Sequence, residues 1–286
     1  MIGPDQVLAQ VKLLPTLSAA SLRLSELARE PRSSAADFEK VIRPDPALTA
    51  NLLRFANSAY FGRRCRAESV RQAVTLLGLK RVSEVAAAAA LAPVLPARLP
   101  GYDLDAPAFW LHSVAVAVLS ERLAAELGVA RPELTFTAGL LHDVGKLALC
   151  AFVQGERAPI LDAVRGGLAF VSAERAVLGL DHGALGMLVA QAWGLPPAVA
   201  LVARWHHEPG GAPEDADRAL VDLVHAADAL AHALGLGCDA GELARTVDGG
   251  VEERLAVKAR RLEHVAGESL DEIRELAALF APGGMS

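Results

Sequence analysis

The sequence predicts an all-α fold, with an N-terminal helical subdomain packed on a second helical bundle. Three observations carry that expectation. The chain is 52 % hydrophobic but only 5 % aromatic, and Ala and Leu are abundant, a bias towards packed helices rather than sheet. Helix-start signals recur, in which a short polar side chain or a proline precedes an apolar run. Apolar residues then repeat at helical spacing until glycine or proline interrupts them. A chain of 286 residues is long enough for a large core and one or two domains.

The elements follow in order. An opening helix runs to the break at Leu14-Pro15-Thr16-Leu17, and a second carries Ala20, Leu22, Leu24, Leu27 and Ala28 to about Glu30. Ser34 with Asp37 resembles a capping box and opens a short helix ending near Arg43-Pro44. Asp45 before Pro46 reads as an N-cap and a first turn; that helix holds Leu48, Leu52, Leu53, Phe55 and Ala56. It stops in Asn57–Gly62. Val70, Ala73, Val74 and Leu77 make a stripe closed by Gly78, and Lys80–Leu91 is a further helix. Pro93, Pro96, Pro100, Gly101 and Pro107 mark a boundary, dividing the chain into residues 1–97 and 98–286. The second part opens near Ala108 with a face of Ala115, Val116, Leu119, Leu123 and Leu127 that includes His112. Arg131-Pro132-Glu133 starts the helix expected to hold Gly139–Leu147. Ala158–Arg165, Ser172–Leu178, a helix to Trp193, another from Pro197 to about Trp205, and Asp217–Leu234 follow. Leu255–Phe280 reads as one or two charged terminal helices.

The bulk numbers exclude some classes. The formal net charge of −6 leaves no basic excess to hold a nucleic-acid backbone. Cys65, Cys150 and Cys238 have no CxxC spacing, which argues against a disulfide framework and for a reducing compartment. The N-terminus lacks a basic start followed by an apolar stretch, and the most apolar window, Val82–Leu95, is too short to span a bilayer. A soluble cytoplasmic protein is expected, with neither nucleic acid nor membrane as partner.

The chemistry centres on Gly139-Leu140-Leu141-His142-Asp143-Val144-Gly145-Lys146-Leu147. An imidazole and a carboxylate sit side by side in an apolar run, where burying them unpaired is costly. Neighbouring helical positions point about 100° apart, so both can lean towards one buried ion. Lys146 lies on the same side, and Gly145 removes a side chain that would block close approach. His112, His182, the pair His206-His207 and Asp228 add donors at edges or faces of apolar helices. Imidazole with carboxylate suits Fe, Mn, Zn or Ni. A site with two ions needs a bridging carboxylate, for which Asp143 serves, and such a pair suits attack on phosphorus. Lys146 would add positive charge near the phosphate. Asp143 and Lys146 are thus the candidate catalytic residues.

The ordered set of histidines and aspartates resembles the HD superfamily of metal-dependent phosphohydrolases, and the second part looks like its HD-GYP branch, whose members hydrolyse cyclic di-GMP. By that resemblance His112, His142, Asp143, His182, His206, His207 and Asp228 fall on metal-ligand positions, and Lys146 on a phosphate-contacting lysine. Asp45–Thr49, Leu53–Gly62, Ala73–Gly78, Gly179–His182 and Trp193–Pro196 resemble the HDOD family, from about Leu14 to Ala233. That implies a bacterial, all-helical signalling protein with an HD-type bundle. Many such proteins lack ligands that this chain keeps. Glu208-Pro209-Gly210 stands where HD-GYP enzymes carry Gly-Tyr-Pro, and Ala108 stands where some hold a third metal through Glu, so at most two ions (Fe, Mn or Zn) are expected.

Two functions follow: a regulator that holds a metal pair and acts through signalling partners, or an active phosphodiesterase on a cyclic dinucleotide or related phosphoester. A metal-free scaffold is the third reading, because each histidine alone can be a hydrogen-bonded core residue. His225 and His232 flank Asp228 by three and four residues and could compete as ligands, but they read as surface residues or as residues behind the ligands, and His264 as solvated. Asn57 and Tyr60 suit a partner surface or a turn. Arg63, Arg64 and Arg66 suit a solvated loop or a docking or nucleotide-phosphate site.

Overall fold

The computed structural model describes residues 2–57, 67–129, 132–214, 217–237 and 245–279. Tyr60, Cys65, Cys238 and the Arg63/Arg64/Arg66 patch lie outside the described residues. Among the described residues the architecture is all-α apart from one short antiparallel pair, β1 (Arg98–Leu99) with β2 (Leu104–Asp105). The chain forms two compact units: Thr16–Val94 with Arg274–Ser286, and Met1–Pro15 with Leu95–Ile273. The units change over at Val94/Leu95, close to the 97/98 boundary, and residues 1–15 cluster with the second half while residues 274–286 cluster with the first. The opening helix α1 (Pro4–Leu13) belongs with the second half because the Ile2 N–H donates to the Leu178 carbonyl at 2.7 Å, and α1 packs on the helices that follow the boundary.

The unit built on residues 16–94 contains α2 (Ala19–Arg29), α3 (Ala35–Ile42), α4 (Pro46–Ala56) and α5 (Val70–Leu91). Local chemistry places their ends. Asp45 accepts from Leu48 N at 2.9 Å, and the Ser34–Asp37 capping box forms. The Asn57 side chain pairs with the N–H and C=O of Ala67 at 2.8 and 2.9 Å. Gly78 adopts φ +79°, a conformation other residues resist, and divides α5 where the sequence stripe stops. Leu24, Phe38, Ile42, Leu52 and Phe55 are buried between these helices.

The larger unit is organised around α6 (Ala106–Leu127). Residues 115–119 are all fully buried, so this helix is covered on every side. Around it lie α7 (Pro132–Leu141), α8 (Gly145–Gly155), α9 (Arg157–Arg165), α10 (Phe170–Leu178), α11 (His182–Ala192), α12 (Pro197–Trp205) and α13 (Arg218–Ala233). The terminal segment is two helices, α14 (Gly249–Leu255) and α15 (Ala259–Leu279), separated where Ala256 takes φ +49°. Two stretches longer than Val82–Leu95, α6 and Leu134–Gly155, are apolar and long enough to cross a membrane by composition alone. Their most apolar windows are 72 % and 89 % buried within the protein, which accounts for the apolarity.

Candidate metal centre

The predicted residues converge from separate elements. His112 comes from α6, Asp228 from α13, and His182 from the first position of α11. His206 and His207 follow α12, and Lys146 lies in the first turn of α8. The central motif is not inside a helix, as its apolar flanks suggest. α7 ends at Leu141, and His142-Asp143-Val144 make a tight turn closed by Val144 N→Leu141 O (3.1 Å) and Lys146 N→Asp143 O (2.9 Å). Glycines let the neighbouring backbones approach this turn. A Cβ on Gly145 would stand 1.9 Å from the His182 carbonyl oxygen, and one on Gly139 would stand 2.8 Å from Ala117 Cα. Their absence allows α11 and α6 to deliver His182 and His112.

The donors form two adjoining groups, Asp143-His182-His206-His207 and His112-His142-Asp228, with ligand atoms within 4.8 Å of one another in each. Asp143 faces both. Its Oδ1 is 3.4 Å from Nε2 of His182 and of His206; its Oδ2 is 3.5 Å from His142 Nε2 and 4.0 Å from His112 Nε2. Asp228 Oδ1 lies 3.1 Å from His112 Nε2 and 3.8 Å from His142 Nε2. His207 Nε2 approaches His182 Nε2 to 2.6 Å.

The outer nitrogens fix which inner atoms carry lone pairs. His142 Nδ1 donates to Gly139 O (2.7 Å), His112 Nδ1 to Leu236 O (3.2 Å) and His206 Nδ1 to Ala203 O (3.0 Å). A carbonyl accepts only, so each Nδ1 holds the proton and each neutral ring turns an Nε2 lone pair inward. Those Nε2 atoms and Asp143 Oδ1 are buried without a well-formed hydrogen bond. Lone pairs then face carboxylate oxygens in a dry site, which is costly unless a cation lies between them. The donor set fits one or two transition-metal ions on this ground.

The charges agree with that reading. Burial pushes His142 down to about 3, against the pull of Asp143 and Asp228, so its ring is neutral. Burial works against ionised Asp143, but the Lys146 ammonium holds its carboxyl well below the usual range. Burial likewise opposes ionised Asp228, and the Arg245 guanidinium outweighs it. His182 behaves differently. Burial lowers it, but Glu174 and Asp143 carry it up to about 10, because Glu174 Oε2 accepts from Nδ1 at 2.7 Å. Glu174 also accepts from Tyr102 Oη at 2.6 Å.

Lys146 is 1 % exposed, with Nζ 2.8 Å from Asp143 Oδ2 and 5.6 Å from the Tyr102 ring centroid. This places it as a buried counter-ion to Asp143. His225 and His232 are not on the surface, at 4 % and 8 % exposed. The His225 ring bonds the His206 carbonyl (2.7 Å) and accepts from Asp248 N (2.9 Å), so it holds the double-histidine turn. His264 is exposed, near Glu268. The sequence reading missed Glu174, Tyr102 and Arg245, whose Nη1 lies 2.9 Å from Asp228 Oδ2. Glu208 replaces part of the Gly-Tyr-Pro segment and has a structural task. It shares Arg175 with Asp181, which caps α11 through Ala184 N, so both histidine-bearing turns are tied together. A cavity of about 420 Å³ opens beside this centre, lined by Leu168, Phe170 and Val171 together with His207, His225 and Arg245.

These features define a helical protein with an HD-type donor cluster. The chain belongs to the HDOD family: the HDOD domain profile matches residues 14–209. A crystal structure of an HDOD domain protein of unknown function from Geobacter sulfurreducens superposes with TM-score 0.74 at 24 % identity, covering 97 % of this chain and 98 % of that one. A candidate phosphohydrolase from Shewanella amazonensis gives TM-score 0.74 at 25 % identity, covering 96 % and 98 %. A curated relative of uncharacterised function from Treponema pallidum is 24 % identical over 216 residues. This chain spans 39 % of that relative's length.

Proposed function

We propose that this HDOD protein holds two divalent metal ions in the donor cluster and hydrolyses a phosphoester there. The observation that carries the reading is the two-sided Asp143 carboxylate, with imidazole Nε2 atoms at 3.4 Å from one oxygen and at 3.5 and 4.0 Å from the other. A carboxylate shared by two donor groups suits a pair of ions, which would be Fe, Mn or Zn by donor chemistry. When bound, such a pair supplies a water of lowered pKa and positive charge for phosphoryl oxygens.

The chain's own residues do the rest. Lys146 keeps Asp143 ionised, and Glu174 keeps the proton on His182 Nδ1 so that Nε2 can ligate. Arg245 lines the cavity with its guanidinium on Asp228, and would add positive charge beside a phosphate held there. Leu168, Phe170 and Val171 offer an apolar wall for the rest of the substrate. A cyclic dinucleotide or a related phosphoester, in the cytoplasm, is the substrate class proposed. The likeness to the Shewanella candidate phosphohydrolase supports this reading.

A regulatory role through protein partners is the second reading. It is favoured by the Thr16–Val94 unit, which lies almost wholly within the family match yet contributes none of the donors.

The test is elemental analysis of wild type beside His142→Ala/Asp143→Ala, followed by a screen of phosphodiester substrates. About two equivalents of Fe, Mn or Zn, lost in the variant, with turnover only in wild type, is the expected result. Near-zero metal after reconstitution with Fe or Mn would sink the proposal. Stoichiometric metal without turnover would leave the regulatory reading.

A further inference from the structure

We infer that His232 is an additional ligand of the ion held by His112, His142 and Asp228, so that this ion is enclosed and its neighbour is the one that meets substrate. The inference rests on the metal-binding reading above. His232 lies four residues after Asp228 on α13, so both side chains project from one face. Its Nε2 is 3.3 Å from Asp228 Oδ1, the same oxygen that His112 Nε2 approaches to 3.1 Å. The His112 and His232 rings lie side by side, centroids 4.7 Å apart.

Asp228 Oδ1 is thus met by Nε2 atoms of His112, His232 and, at 3.8 Å, His142. Three imidazole Nε2 atoms gathered round one carboxylate oxygen are the arrangement a cation organises, since the His112 and His142 Nε2 lone pairs would otherwise face that oxygen's own lone pairs. With Asp143 Oδ2 on the remaining side, this group reaches five protein donors. The other group has four: Asp143 Oδ1, His182, His206 and His207. Of all these donors only His207 lines the cavity. Saturation by His232 therefore assigns anchoring to the first ion and leaves open coordination at the second, beside the space for a ligand.

The test reads metal binding rather than turnover. Metal-stripped wild type, His232→Ala, His232→Gln, His207→Ala and His207→Ala/His232→Ala are titrated with Co(II) or Zn(II) against a competing chelator. Far-UV circular dichroism confirms that each is folded. Wild type should bind two equivalents and His207→Ala one. The site remaining in His207→Ala should weaken about tenfold or more when His232 is also removed. The Co(II) absorption bands of that site should shift in the double variant and be partly kept in His232→Gln. Equal affinity and an unchanged Co(II) spectrum in His207→Ala and the double variant would overturn the assignment while leaving the metal centre standing. Absence of metal from wild type would overturn both.

Discussion

Lys146 offers a quantitative test, because its stabilising role should depend on whether metal is present. In the metal-free protein its ammonium is the closest cation to Asp143, at 2.8 Å, and both side chains are almost wholly buried. Lys146→Met keeps the stem and removes the charge. Asp143 is then left as a buried carboxylate facing the lone pairs of His142 and His206, with the His182 ring as its remaining positive neighbour. Breaking one side of a buried pair costs about 3–5 kcal/mol. That is a large share of a typical total of 5–15 kcal/mol, and corresponds to a drop of roughly 6–20 °C in Tm for a unit of this size. Bound divalent ions supply positive charge to the same carboxylate, so the cost should shrink to about 1 kcal/mol in metal-loaded protein. The assay is thermal and urea unfolding of wild type and Lys146→Met, each with chelator and with saturating Mn or Zn. The reasoning fails if the difference between the two proteins is the same in both conditions. It fails equally if Lys146→Met costs under about 0.5 kcal/mol with chelator, since the pair would then contribute nothing that burial makes necessary.

Other outcomes follow from the same geometry. Gly145→Ala would drive a Cβ against the His182 carbonyl at 1.9 Å; separation of α8 from α11 should cost about 1–3 kcal/mol and weaken metal binding, read by melting and by chelator competition. Glu174→Gln removes the charge that orients His182, so affinity of the Asp143-His182-His206-His207 group should fall about 10- to 100-fold by metal titration, with the other group retained. Asp45→Ala deletes the cap on Leu48 N and should destabilise the Thr16–Val94 unit by about 0.5–2 kcal/mol, with metal stoichiometry unchanged. Metal at about 100 times its Kd should stabilise wild type by about 2.7 kcal/mol for each ion bound, and should do nothing for His142→Ala/Asp143→Ala.

What could be read in the sequence and what could not divide along one physical line. Signals confined to a helical turn were legible. The Asp45 cap, the Ser34–Asp37 box and the stop at Gly78 each depend on neighbours a few residues away. The donor set was legible for a related reason, since imidazole and carboxylate are so poorly suited to apolar helices that their residue type alone marks them. The backbone under the motif was not. Whether His142-Asp143-Val144 continues a helix or turns depends on how closely α11 crosses Gly145, a contact made across the fold. Buried charges escaped for the same reason. Nothing local says that Glu174 meets His182 or that Arg245 meets Asp228, because those pairs exist only once the bundle has closed. His232 lies between the two cases. Its spacing from Asp228 placed it on the right face, but whether that face meets solvent or the donors is decided by α6 packing across α13. A ligand's chemistry is thus a property of the residue, whereas its protonation and its counter-charge are properties of the tertiary contact. Variants of Glu174, Lys146, Arg245 and His232 therefore probe what the fold adds to a motif that the sequence already displays.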